Sequence, residues 1–215
     1  MKIQEVLFKG KKILIENNVE EASLVSRMLL SHILNCSKEE LLLKYEEEIK
    51  EENQREFLDG IEKISKGYPL QYITNSKEFM KMNFYVDEKV LVPRSDTEIL
   101  VEEVIFLCQE QKKEEILELC TGSGAISVSL SKFLSHVQIT ATDISEEALE
   151  VAKKNGNLLL KENKIEFIQS DMFENINKKY DVIVSNPPYI RKEVIKEYNL
   201  KYEPQIALDG RRRWT

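Results

Sequence analysis

Apolar residues recur at helical spacing through the first third of the chain. Ile3, Val6, Leu7, Ile13 and Leu14 form one stripe, and Ala22, Val25, Leu29 and Ile33 another; spacings of three and four put such residues on one helix face. Ser37 followed by Glu40 has the spacing of a capping box before Leu41-Leu42-Leu43. Phe57, Leu58, Ile61 and Ile64 make a further stripe, which Gly67 is placed to close. Glu46-Glu47-Glu48 and Glu51-Glu52 read as a solvated face with no need of partners. Residues 1–67 are therefore expected to be a small helical bundle.

The pattern then changes. Tyr68-Pro69-Leu70-Gln71-Tyr72 breaks the helix, and Phe79 to Val92 carries the aromatic and β-branched residues of a hairpin that Pro93 stops. Residues 68–94 are read as linker and β-hairpin, with the boundary between units near 68–78. Ser95 with Glu98 is a second capping box, opening a helix through about Cys108. From Ile116 strands and helices alternate: strand 116–119, helix 125–134, strand 137–142, helix 146–155, strand 165–168 and strand 180–185. Such alternation predicts an α/β domain over residues 95–215, with a parallel sheet covered on both faces.

Composition narrows the class. The chain has 215 residues, 42% hydrophobic and 32% charged, which suits a globular protein with a real core. No apolar run approaches the roughly 18 residues of a membrane span. Met1-Lys2-Ile3-Gln4-Glu5 lacks the apolar stretch of a signal peptide, so a cytoplasmic location is expected. Cys36, Cys108 and Cys120 form no C-x-x-C pair and suggest neither disulfides nor a zinc site, and no metal is expected. The formal charge of −7 argues against sequence-independent adhesion to nucleic acid.

The candidate chemistry sits at strand ends. Cys120-Thr121-Gly122-Ser123-Gly124 leaves a strand and enters a helix, and its glycines let the backbone approach a ligand. Ser127 stands where a dinucleotide fingerprint would carry its third glycine, so a pyrophosphate cradle fits poorly; a tight β–α turn is the plain alternative. Asp143 ends the next strand, where a carboxylate can accept from a ribose diol or cap the following helix. Asp171-Met172, after the third strand, offers a carboxylate for an adenine amine and a thioether beside the ring, or simply a loop carboxylate. Together these form a nucleoside-shaped crevice. Asn186-Pro187-Pro188-Tyr189 ends the fourth strand. Two prolines fix successive φ angles and remove two donors, leaving the Asn186 side-chain oxygen and the Pro187 carbonyl beside an aromatic face. Such a frame can hold a planar –NH2 group by both hydrogens. His32 and His136 lie outside these motifs and are read as ordinary residues.

Asn-Pro-Pro-Tyr after a strand, with an acidic-x-x-x-Gly-x-Gly loop upstream, resembles amino-methyltransferases that use S-adenosylmethionine. Five segments narrow the resemblance: Pro69 to Ile73, Val92 to Glu98, Leu119 to Ala125, Val184 to Ile190, and Tyr202-Glu203-Pro204 before Ala207-Leu208. With the helical N-terminal unit they resemble the HemK/PrmC family, the peptide-chain release factor glutamine N5-methyltransferases, from about residue 20 to Gly210. The resemblance implies a Rossmann-like class I methyltransferase sheet with strand order 3-2-1-4. It implies a cofactor site at Cys120, Thr121, Gly122, Ser123, Gly124, Asp143, Asp171, Met172 and Asn186, with S-adenosylhomocysteine as product. Asn186, Pro187, Pro188 and Tyr189 correspond to the substrate clamp, with Asn186, Pro187 and Tyr189 as the catalytic group. Cys120 replaces the glycine of the generic methyltransferase loop.

The implied substrate is the glutamine of the Gly-Gly-Gln motif of class-1 release factors. A monomer that binds no nucleic acid or membrane is expected, with the N-terminal helices holding the partner. An amide nitrogen is a poor nucleophile, and fixing its plane with two acceptors leaves electron density on nitrogen. Tyr189 is expected to stack on the amide or exclude water. Enzymes methylating adenine N6 or guanine N2 carry the same clamp; residues 1–78, however, hold 12 Lys+Arg against 15 Asp+Glu, a poor surface for nucleic acid. A third reading is an inactive cofactor-binding remnant. It arises because Asp209-Gly210 is followed by Arg211-Arg212-Arg213-Trp214-Thr215, where family members continue through a Gly-rich acidic stretch to Asp-Gly-Leu. In one permitted choice of codons, a shift of one base turns Gly210–Thr215 into Gly-Glu-Glu-Asp-Gly-Leu. The expectation is a C-terminally truncated sheet whose residues 190–215 pack poorly and leave an edge uncovered.

Overall fold

The computed structural model describes residues 1–197 and 200–210; the Arg211–Thr215 ending lies outside the described residues. The chain divides into two compact units, Met1–Thr74 and Asn75 onward. The first holds α1 (Ile3–Glu16), α2 (Ala22–Ile33), α3 (Lys38–Leu43), α4 (Glu51–Ser65) and α5 (Leu70–Thr74). The apolar stripes meet in one core containing Val6, Leu14, Leu29, Leu30, Leu41, Phe57 and Ile61. Ser37 caps α3 reciprocally with Glu40, at 3.1 and 2.8 Å, and Gly67 ends α4 at a φ of 92°. Glu46-Glu47-Glu48 is exposed, as expected of a solvated face, although Glu46 also accepts from Lys2 Nζ at 2.6 Å and Gln4 Nε2 at 2.7 Å near the start of α1.

The second unit opens on a hairpin of β1 (Lys77–Phe79) and β2 (Met82–Phe84). It is shorter and earlier than the expected Phe79–Val92. The turn is Met80-Lys81, both at positive φ (49° and 60°), the geometry of a two-residue hairpin turn that usually advertises itself with Asn or Gly. Residues 85–95 then run without strand pairing into α6 (Asp96–Gln111). Ser95 does not cap α6 with its side chain. Glu98, expected to complete that cap, instead accepts from the Met80 N–H at 2.9 Å and fixes the hairpin turn.

The remaining elements are β3 (Glu115–Leu119), α7 (Ala125–Phe133), β4 (Gln138–Asp143), α8 (Glu146–Leu159), β5 (Glu166–Gln169), β6 (Val182–Ser185), α9 (Lys192–Glu197) and α10 (Gln205–Leu208). The four long-range strands form a parallel sheet in the order β5-β4-β3-β6, which is 3-2-1-4 counted from β3, as expected. Ile116 through Leu119 are all buried, as a central strand covered on both faces requires. Coverage thins at β6, where Ile183 is 54% exposed. The segment after β6 packs better than expected over its described residues. Ile195 and Leu208 are buried, Ile190 N–H bonds Leu208 O at 2.9 Å, and Gly210 N–H bonds Ile190 O at 3.0 Å. Backbone pairing of Ile190 beside Asp209 supplies the order that the sequence pattern did not disclose. No helix among the described residues is long and apolar enough to cross a membrane.

Candidate active site

The carboxyl ends of β3, β4 and β6 converge where the strand order reverses, the place where open α/β sheets bind ligands. The loop Cys120–Gly124 is built to stay open there. Thr121 N–H continues the ladder by bonding Thr142 O at 2.8 Å. Cys120, Gly122 and Gly124 take positive φ values of 59°, 55° and 77°. A Cβ at Gly122 would meet nothing within 4 Å, so its backbone faces free space. At Gly124 a Cβ would fall 3.1 Å from the Ala152 backbone, so this residue lets α8 pack against the loop. Burial pushes the Cys120 thiol up to about 11, and it remains a neutral thiol.

Asp143 closes onto the same loop. Its Oδ2 accepts from Gly122 N–H at 2.8 Å and its Oδ1 from Ser145 N–H at 3.0 Å. Ser145, not Asp143, caps α8, accepting from Ala148 N–H at 3.2 Å. Burial raises the Asp143 pKa, against the lowering effect of the N–H groups of Ser145, Gly122 and Ile144. The carboxylate keeps acceptor capacity beyond these N–H groups, so it can still accept from a ligand hydroxyl.

Beneath the loop lies Glu118, 1% exposed. Its Oε2 accepts from Thr121 Oγ1 at 2.6 Å and Ser127 N–H at 3.0 Å. Burial raises its pKa to about 7 despite these bonds. Asn155, fully buried, ties the loop to the segment beyond the hairpin. Its Nδ2 donates to Ser123 O at 2.8 Å and Tyr85 O at 2.9 Å, and its Oδ1 accepts from Tyr85 N–H at 2.7 Å.

An open cavity of about 770 Å³, continuous with solvent, is lined by Cys120, Thr121, Gly122, Ser123, Asp143, Asn186 and Pro188, among others. A second, of about 780 Å³, is lined by Pro187, Tyr189 and Leu100. The two share Leu91, Arg94, Thr97, Asn186 and Ala207, so Asn186 stands where they adjoin. Its Nδ2 donates to Thr97 Oγ1 at 3.2 Å. Tyr189 is 73% exposed and belongs to the rim. Asp171, Met172 and Gly124 do not line either cavity; Met172 approaches from the side, its sulfur 3.9 Å from that of Cys120.

Several residues of the site were not singled out from the sequence by role. Thr97, Arg94, Asn155 and Glu203 belong to it through long-range pairing, and Glu118 through its bonds to Thr121 and Ser127. Arg94 Nη2 bonds Glu203 Oε1 at 2.5 Å, and Glu203 Oε2 accepts from Val92 N–H at 3.3 Å. Glu203 is 5% exposed. The bond joins two segments that both wall the cavities, and only the segments Val92–Glu98 and Tyr202–Pro204, as motifs, hinted at it.

Residues 95–202 match the Methyltransferase small domain and residues 5–74 the PrmC N-terminal domain. The release factor glutamine methyltransferase of Clostridium acetobutylicum is 38% identical over 216 aligned residues, covering 98% of this chain and 76% of that protein. Its namesake in Leptospira interrogans is 39% identical, covering 96% of this chain and 74% of that protein. That of Moorella thermoacetica is 35% identical, covering 98% and 75%. With both halves of the chain matched and a crevice of methyltransferase topology between its strand ends, the chain belongs to the release factor glutamine methyltransferase family.

Proposed function

We propose that this chain transfers a methyl group from S-adenosylmethionine to the side-chain amide nitrogen of the glutamine in the Gly-Gly-Gln motif of class-1 release factors. One observation carries the reading. Asn186 sits at the shared edge of two cavities, one lined by the Cys120–Ser123 loop and Asp143 and the other bordered by Pro187 and Tyr189. The cofactor's fit rests on the open backbone at Gly122 and on the Asp143 carboxylate beside it, which would take the ribose hydroxyls. Cys120 to Ser123 would line the rest, with Asp171 and Met172 contributing at the adenine end by a small approach from the side.

The bound cofactor supplies an electrophilic methyl group on a sulfonium centre. Asn186 Oδ1 and the Pro187 carbonyl accept the two hydrogens of the substrate amide and fix its plane. That arrangement aims the nitrogen at the cofactor cavity and leaves electron density on it, so the gain is positioning plus electrostatics. The amide hydrogen becomes acidic only as the N–C bond forms, and no strong base is needed. Pro188 keeps the clamp rigid, and Tyr189 at the rim covers the amide from water. In this reading residues 1–74 hold the body of the release factor, and the enzyme acts as a cytoplasmic monomer on protein, without direct contact to nucleic acid.

The test offers labelled S-adenosylmethionine with a purified class-1 release factor, DNA and RNA in parallel. Label on the factor alone is the expected result. Label on either nucleic acid, or none anywhere with the cofactor bound, contradicts the proposal.

A further inference from the structure

Asn186 has two chemically different ends, and the proposed reaction needs one of them. A substrate –NH2 must meet an acceptor, so Oδ1 has to face the junction of the cavities. A half-turn about the terminal torsion would present Nδ2 instead, setting donor against donor. That torsion is soft and roughly two-fold. The prolines that follow restrain the backbone but not the amide end. Ser185, the preceding residue, spends its hydroxyl on Leu119 O at 3.0 Å.

Thr97 supplies the missing constraint. Asn186 Nδ2 donates to Thr97 Oγ1 at 3.2 Å, and both residues line both cavities. Thr97 stands in the first turn of the 16-residue α6, with its own N–H bonded to Arg94 O at 3.0 Å. One residue on, Glu98 anchors that turn to the Met80 N–H. The hydroxyl is thus mounted on a long helix, and a site held by a regular element is held more closely than one on a loop. We infer that Thr97 is a positioning residue: its hydroxyl holds the Nδ2 end of Asn186, so that Oδ1 is presented to the substrate amide. The inference rests on the reading in which Asn186 accepts from that amide.

Thr97→Val keeps the shape and removes the hydroxyl; Thr97→Ser keeps the hydroxyl. With a purified class-1 release factor and labelled S-adenosylmethionine, Thr97→Val lowers kcat about tenfold, the scale of one well-placed hydrogen bond. The cofactor Kd stays within twofold of wild type, and Thr97→Ser restores most of kcat. A Thr97→Val enzyme with wild-type kcat, or a Thr97→Ser enzyme as slow as Thr97→Val, overturns the inference. Hydrogen exchange of the Asn186 side-chain amide, followed by NMR without substrate, separates this from the choice of substrate. Protection in wild type and Thr97→Ser but not in Thr97→Val supports the role even if the factor is not methylated. Equal exchange in all three proteins overturns it.

Discussion

At Asp143, two backbone N–H groups already hold the carboxylate before any ligand arrives. The cofactor role proposed for it predicts a binding defect: Asp143→Ala weakens S-adenosylmethionine binding by roughly 10- to 100-fold, the loss of one or two charge-assisted hydrogen bonds, read by isothermal titration. Asn186→Ala has the opposite profile. It binds cofactor within a few-fold of wild type and loses at least about 100-fold in transfer, on the scale of removing an oriented polar group from a reacting centre. Glu118 makes a pH prediction. Its folded pKa of about 7 lies above the ordinary value of 4.5, so the native state holds the extra proton between those values, and stability falls as pH rises through that window and levels above it. The Asp143 shift adds in the same direction. Urea midpoints of wild type and Glu118→Gln, compared at pH 5 and pH 8, isolate the Glu118 share. The variant is expected to lose less on going to pH 8, by on the order of 2 kcal/mol. Asn186, Asp143 and the Gly-rich loop were legible in the sequence because each is announced by its neighbours at the end of a strand. Thr97, 89 residues from Asn186, lay within the Val92–Glu98 segment of the resemblance, but nothing local tied it to Asn186, since that pairing is fixed only by how the start of α6 lies against the end of β6.

Among the elements, the sheet was legible because β3, β4, β5 and β6 are short apolar runs separated by helical stripes, a pattern with few parallel solutions. The hairpin was not. Its turn uses Met80 and Lys81 at positive φ, where side chains cost free energy and glycine does not. Lys81→Gly therefore raises stability by about 0.5–1 kcal/mol, seen as a higher urea midpoint with unchanged slope; a lower midpoint contradicts this account of the turn. Ser95-Glu98 shows a local motif losing to tertiary structure, because Glu98 finds a better use on the Met80 N–H than on its own helix end. Asn155 is the converse, a residue of α8 whose importance lies wholly in its partners. Asn155→Ala removes the partner of the buried Ser123 carbonyl and of the part-buried Tyr85 N–H and carbonyl and costs about 2–3 kcal/mol.

On the scale of the whole molecule, each of the two units has its own core; the proposed function assigns methyl transfer to residues 75 onward and recognition to the helical unit. Deleting residues 1–74 is expected to raise KM for an intact release factor far more than for a short Gly-Gly-Gln peptide; equal effects on both contradict a recognition role. The two walls of the crevice, 92–94 and 203–208, come from opposite ends of the second unit and are joined through Arg94 and Glu203, a closure no local pattern could reveal. The central claim is the identity of the methylated atom. Mass spectrometry of a class-1 release factor incubated with the chain and S-adenosylmethionine is expected to find one added methyl on the side chain of the Gly-Gly-Gln glutamine, absent with Asn186→Ala. A methyl on any other residue, or one that persists undiminished in Asn186→Ala, contradicts the account.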